Sequence, residues 1–231
     1  MHSSVEKLIG KIIVSCQAYE DTPLYGASYM KAMAASALLG GASGIRACWK
    51  QDIEAIRELG DFPIIGLNKV KSDKNEYSDI FITPTFESAK EVIDAGTDIL
   101  ALDCTIRDFR GKDALYSLLK EIKDHYPDIA IMADCSNIED VIFANETGLV
   151  DVIATTLSIR AHQLGHPDVQ FIKEAKKVTN IPINAEGSIW DLNDLEDTLN
   201  ADADMITIGT AITRPHLITK RFVDFNEKLK R

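Results

Sequence analysis

The sequence is poor in positive charge: 25 Lys and Arg stand against 36 Asp and Glu, a net charge of -11 at neutral pH. No general basic field is left to attract DNA or RNA, so nucleic acid is not an expected partner. A phosphorylated metabolite is still compatible, because backbone N–H groups and one Arg suffice for a local phosphate site. Cysteine is scarce and scattered, at Cys16, Cys48, Cys104 and Cys135, with no CxxC pair and no secretory signal ahead of them. That pattern argues against a disulfide framework and for reduced thiols in a cytosol. No apolar run reaches the roughly 18 residues of a membrane span, so no membrane association is expected. Linkers rich in Pro, Gly or Ser, blocks of like charge and low-complexity segments are also missing, and residues 1–231 are therefore expected to form a single domain.

What is present is ordinary globular material, 45% hydrophobic and 26% charged in 231 residues, close to the usual size of one (β/α)8 barrel. Short β-branched apolar runs alternate with stretches of helical period, the pattern of parallel strands and crossover helices. Eight runs qualify: Ile12–Cys16, Gly44–Ala47, Pro63–Leu67, Asp98–Asp103, Ile129–Asp134, Val150–Thr155, Pro182–Glu186 and Asp204–Ile208. Helices are expected near 27–40, 50–59, 86–95, 111–125, 138–147, 168–178, 190–199 and 216–229. Thr85 before Phe86-Glu87-Ser88 and the box Ser136-Asn137-Ile138-Glu139 supply start signals. The fold expected is α/β, a TIM barrel of the ribulose-phosphate-binding type. The short run Ile80–Thr83 falls in a long loop after the third strand.

Polar residues close nearly every run: Gln17, Arg46, Lys69, Asp103, Asp134, Thr155-Thr156, Glu186 and Gly209-Thr210. In a barrel these positions converge on one mouth, where such enzymes keep their active sites. Gly187-Ser188 after the seventh strand and Gly209-Thr210 after the eighth let backbone N–H groups approach an anion, with Arg214 adding a bidentate contact. Lys69 has two readings from its spacing: an amine expected to point into a partly dry mouth, where desolvation and Arg46 would disfavour its charged form and make it a usable base, or a surface lysine at the start of a polar loop. Glu186, Asp103 and Asp134 are candidates for acid, orienter or metal ligand. No His joins them at a strand end, and Arg46, Lys69 and Arg214 already neutralise the site, so no metal is expected. Cys16, Cys104 and Cys135 each neighbour an inward polar residue and should point to the helix layer as small core residues. His162 and His166 stand i,i+4, but Gly165 and Pro167 disfavour a long helix, and both are read as polar loop groups near the pocket.

Several segments, in order and at similar spacing, resemble the N-acetylmannosamine-6-phosphate 2-epimerase family: Ile13-Val14-Ser15-Cys16-Gln17-Ala18, Gly40–Ala47, Ile82-Thr83-Pro84-Thr85, Ala101-Leu102-Asp103, Met132-Ala133-Asp134, Thr155-Thr156-Leu157-Ser158, Asn184-Ala185-Glu186-Gly187 and Ala211–Pro215. The resemblance implies an isomerase that epimerises a sugar phosphate at C2 without a redox cofactor. It implies catalytic roles for Lys69 and Glu186, and sugar- or phosphate-binding roles for Gln17, Arg46, Asp134 and Arg214. Thr155 joins the substrate-binding set. Gly187, Ser188, Gly209 and Thr210 join Arg214 in the phosphate set. Barrels of this kind often pair through their outer helices, so a homodimer is compatible with the sequence, which does not itself fix the oligomeric state. Two departures stand out: Val70-Lys71 follows Lys69 where the family has Arg-Asp, and Ile159-Arg160-Ala161 replaces Gly-Tyr-Thr. Other readings on the same scaffold are a different sugar-phosphate epimerase or isomerase, or a sensor that binds without turnover.

Overall fold

The computed structural model describes residues 1–70 and 79–229. Lys71, in the segment that departs from the family pattern, lies outside them. Eight parallel strands close on themselves: β1 (Ile12–Cys16), β2 (Gly44–Cys48), β3 (Ile64–Leu67), β4 (Ile99–Asp103), β5 (Ala130–Asp134), β6 (Val152–Ala154), β7 (Ile183–Glu186) and β8 (Met205–Ile208). The seam is made by Ile12 opposite Ile206 and Val14 opposite Ile208. Between and after the strands run α1 (Ser3–Glu6), α2 (Ala27–Leu39), α3 (Lys50–Arg57), α4 (Phe86–Asp94), α5 (Lys112–His125), α6 (Ile138–Thr147), α7 (Ile159–Leu164), α8 (Val169–Val178), α9 (Leu192–Asn200), α10 (Thr210–Thr213) and α11 (Pro215–Leu229).

Side chains alternate faces along a strand, so each strand feeds two cores. Ile13, Ile65, Ile99, Met132, Val152 and Met205 fill the barrel interior together with Val5 and Leu8, which plug its N-terminal end. The other parity, including Val14, Ile45, Leu102, Ala133 and Ile206, packs under the helices. Cys16, Cys104 and Cys135 belong to that outer core. All four thiols are free and buried. Burial pushes those of Cys16 and Cys48 up to about 12, which leaves inert packing groups at neutral pH. Leu8 explains Gly44, since a Cβ there would sit 2.8 Å from a Leu8 methyl.

Three local features differ from the sequence expectation. Asn137, not Ser136, caps α6: its Oδ1 accepts from the N–H groups of Glu139 and Asp140, while the Ser136 hydroxyl donates to the Asp140 carboxylate at 2.7 Å. The longer Asn side chain reaches the free N–H groups and leaves Ser136 to the helix's own acid. Second, Ile159–Leu164 forms α7, with Ser158 as its cap and Gly165 at φ 70 as its stop; the glycine limits the helix without preventing it. Third, the run at Ile80–Thr83 reaches into the barrel. Ile82 is buried in the interior core and bridges Lys69 antiparallel. Val70 N–H donates to the Phe81 carbonyl at 2.9 Å and Thr83 N–H to that of Asn68 at 2.7 Å. The backbone of Lys69 is thus held on both sides.

Thr85 caps α4 in reciprocal hydrogen bonds with Ser88. By contrast α11 buries none of its side chains. Phe222, Phe225 and Leu229, on one face of that helix, are 73%, 64% and 70% exposed.

Candidate active site

At the C-terminal ends of the strands opens a cleft of about 290 Å³. Arg46, inward on β2 and 1% exposed, lies at its floor. One arm of its guanidinium donates to Asp134 Oδ2 at 2.7 Å. The other donates to Asp134 Oδ1 at 3.1 Å and to Glu186 Oε2 at 2.7 Å. Thr156 closes the set, its hydroxyl donating to Asp134 Oδ1 at 2.7 Å. Burial works against the charged guanidinium, yet the two carboxylates outweigh it and hold Arg46 above its ordinary pKa. Burial also raises the Glu186 carboxyl, against the pull of Arg46. Asp134 is fully buried beneath Arg46 and orients it rather than lining the cleft.

Lys69 enters from β3, two residues past Leu67 and on the same inward parity. Its amine donates to the Tyr19 hydroxyl at 2.9 Å, and its carbonyl accepts from the Trp49 indole at 2.9 Å. Gln17 lines the cleft with its Nε2 donating to Ser15 Oγ at 2.9 Å, while its Oε1 is buried without a protein partner. An acceptor left so is placed to meet a ligand hydroxyl or amide N–H.

The opposite rim carries Gly187, Ser188, Gly209, Thr210, Thr213 and Arg214. Gly187 and Ser188 turn through φ 114 and 56. Glycine takes positive φ without strain, so the backbone at Gly187 reaches the rim bare of a side chain. Thr213 ties the segment after β8 to β1, its hydroxyl donating to the Ser15 carbonyl at 2.8 Å.

Most of the residues singled out in the sequence therefore share one cleft: Gln17, Arg46, Lys69, Glu186, Gly187, Ser188, Gly209, Thr210 and Arg214. Thr155 does not line it. Its hydroxyl donates to the Glu186 carbonyl at 2.9 Å and accepts from the Glu186 N–H, because strand parity turns Thr156, not Thr155, inward. Asp103 is likewise absent from the lining, paired instead with Arg110 at 2.9 Å and hydrogen-bonded by Thr105. Among the described residues no group of three or more His, Cys, Asp or Glu is arranged to hold a metal ion. His162 on α7 lines the cleft; His166 pairs with Asp194 at 2.8 Å.

The sequence reading missed Ser15, Tyr19, Phe81, Trp190 and Thr207, which also line the cleft. Ser15 and Tyr19 share the alternation of Gln17, a signal that was there. Trp190 and Phe81 come from loops whose course no periodicity encodes.

Sequence comparison places this geometry among known proteins. The family described as "Putative N-acetylmannosamine-6-phosphate epimerase" matches residues 30–228. A relative from Caldanaerobacter subterraneus subsp. tengcongensis, named "Putative N-acetylmannosamine-6-phosphate 2-epimerase", is 42% identical over 96% of this chain and 93% of its own. One of the same name from Listeria monocytogenes is 39% identical over 99% of both chains. Among solved structures, the N-acetylmannosamine-6-phosphate 2-epimerase of Clostridium perfringens is 35% identical, superposes with a TM-score of 0.86 and covers 97% of this chain and 96% of that one. The aldolase QR15, 16% identical with a TM-score of 0.64 over 95% and 97% of the two chains, shares the barrel fold alone. The chain belongs to the N-acetylmannosamine-6-phosphate 2-epimerase family.

Proposed function

We propose that this protein interconverts N-acetylmannosamine 6-phosphate and N-acetylglucosamine 6-phosphate by removing and returning the proton at C2. The observation that carries the reading is the placement of an amine, Lys69, and a buried Arg46–Glu186 pair in the same cleft as Arg214, in a chain of this family. A C2 proton becomes removable only when C1 is a carbonyl, so the ring must open first. Glu186, ionised by its contact with Arg46, takes the proton of the C1 hydroxyl and passes it to the ring oxygen as the C1–ring oxygen bond breaks. Lys69 as free amine then takes the C2 proton, and the electron pair moves onto the C1 oxygen. Arg46, held charged, faces that oxygen and stabilises the enolate, while the free Gln17 Oε1 accepts from a hydroxyl or the amide N–H of the sugar. A proton from solvent water adds to the opposite face of C2 as the C1 carbonyl re-forms, Lys69 gives the proton it took to solvent, and ring closure completes the cycle. Arg214 with the backbone at Gly187-Ser188 and Gly209-Thr210 holds the phosphate and fixes C2 near the amine.

Apart from solvent water these steps use only groups of this chain, and no metal or redox cofactor enters them. The reading is tested by proton NMR of the chelator-treated protein with N-acetylmannosamine 6-phosphate in D₂O. Anomeric signals of the gluco epimer are expected. A folded protein that binds the sugar phosphate without converting it would instead favour the sensor reading.

We further propose that the chain works as one domain in amino-sugar and sialic acid breakdown in the cytosol, where its reduced buried thiols fit, and that its charge of -11 keeps it off nucleic acid. No helix among the described residues is long and apolar enough to cross a membrane. A homodimer is part of this reading. The stripe Phe222, Phe225 and Leu229 at helical spacing on α11 is apolar surface left uncovered, and such stripes mark association surfaces. Light scattering should return twice the chain mass, whereas a monomer at micromolar concentration would refute the dimer.

A further inference from the structure

We propose that Tyr19 is a positioning residue that fixes Lys69 and Arg214 relative to one another, the hydroxyl holding the amine and the ring holding the guanidinium. This rests on the reading of Lys69 as the base and Arg214 as the phosphate anchor. Tyr19 sits in the loop after β1 and lines the cleft between these two cations. The Lys69 amine is 2.9 Å from the Tyr19 oxygen and 5.1 Å from the ring centroid. It therefore meets the hydroxyl at the ring's rim, as a hydrogen bond directed at the oxygen requires. Arg214 uses the ring instead, with its Cζ 5.6 Å from the centroid, within reach of the π face. One phenol thus spans the distance between the amine and the anchor.

The ring is itself held. Trp49 meets it edge-on, centroids 5.9 Å apart and planes at 76°. The same indole donates to the Lys69 carbonyl. Trp49 has φ 66 and ψ 147, a backbone conformation used almost only by glycine and kept by other residues where the surroundings enforce it. That conformation starts α3 and at the same time turns the indole to reach both Tyr19 and Lys69. Two contacts on Lys69, hydroxyl to amine and indole to carbonyl, thus come from two rings packed against each other. A lysine side chain has four rotatable bonds, and without the hydroxyl its amine samples positions away from C2.

The proposal separates hydroxyl from ring, so two variants test it by steady-state kinetics with N-acetylmannosamine 6-phosphate, alongside Lys69→Met. Tyr19→Phe keeps the ring and its packing on Trp49, so kcat should fall about 10- to 100-fold while KM stays within about threefold. Tyr19→Leu also removes the π face, so KM should rise about 5- to 30-fold in addition. Lys69→Met should not turn over. If it is inactive while Tyr19→Phe retains the parent kcat, the Tyr19 proposal falls and the reading of Lys69 stands. Equal losses in kcat and KM for both Tyr19 variants would also overturn it, since hydroxyl and ring would not be separable. Turnover by Lys69→Met at the parent rate would remove the base and this proposal with it.

Discussion

Arg46 and Glu186 meet at 2.7 Å on the floor of the cleft, while the same guanidinium grips Asp134 beneath it with both arms. One cation therefore serves two carboxylates of different standing: Asp134 is sealed off, and Glu186 borders the cleft. Asp134→Ala should leave a 1% exposed guanidinium short of its main partner. A loss of stability of about 3 kcal/mol is expected, with turnover lowered because Arg46 no longer holds its position. Urea unfolding and the epimerase rate measure the two effects. A stability change under about 1 kcal/mol would show that Arg46 is held by its other contacts.

Glu186 is expected to act as an ionised group, and burial raises its pKa above the ordinary 4.5. The sign follows directly: kcat/KM should fall as the pH drops through that raised pKa, which puts the acid limb above pH 4.5. In Glu186→Gln the limb should disappear along with most of the rate. Persistence of the same limb in the variant would assign it to another group.

Arg214 lies over Tyr19 at the rim of the cleft. Arg214→Ala should weaken binding of the phosphorylated sugar by about 1.5–3 kcal/mol, roughly 10- to 150-fold in KM. The same variant should bind the unphosphorylated sugar as the parent does. An unchanged KM for the phosphorylated sugar would remove the guanidinium from the phosphate site.

Asp52, away from the chemistry on α3, has its Oδ2 buried without a partner, and burial raises its carboxyl from 3.8 to about 6. The folded state thus favours the protonated acid. The stability linked to this group is fully present below about pH 4 and is lost as the pH rises through about 6. Asp52→Asn, which mimics the neutral acid, should stabilise the protein by about 1–3 kcal/mol at pH 8 and by little at pH 4. Thermal melts at the two pH values decide, and an equal shift at both would refute the assignment.

Why some of this was legible in advance and some was not comes down to parity and distance. Period-two alternation identifies the barrel strands, and it turns Asp134 inward behind the apolar Ala130 and Met132, Arg46 between Gly44 and Cys48, and Glu186 beside the polar Asn184. The same rule separates Thr156 from Thr155 once the strand's end is fixed, but β6 has only three residues, and so short a run does not fix its own phase. Asn137 over Ser136 is a choice between two competent caps, decided by which side chain Asp140 engages. The part of Tyr19 was hidden because its partners, though they share one mouth of the barrel, lie far apart along the chain, Lys69 after β3 and Arg214 after β8. No local pattern reports a meeting of that kind.

The seam between β1 and β8 joins the first strand of the chain to the last, and Thr213 bridges to Ser15 across 198 residues of sequence. Gln17 and Tyr19 stand on one side of that join, Gly209, Thr210 and Arg214 on the other. An unsealed barrel would own only half of the binding surface, so a ligand has affinity only for the ring after closure. Sugar phosphate should accordingly slow unfolding at the seam ahead of any other place, and hydrogen exchange at Val14 and Ile208 is where that protection would register first.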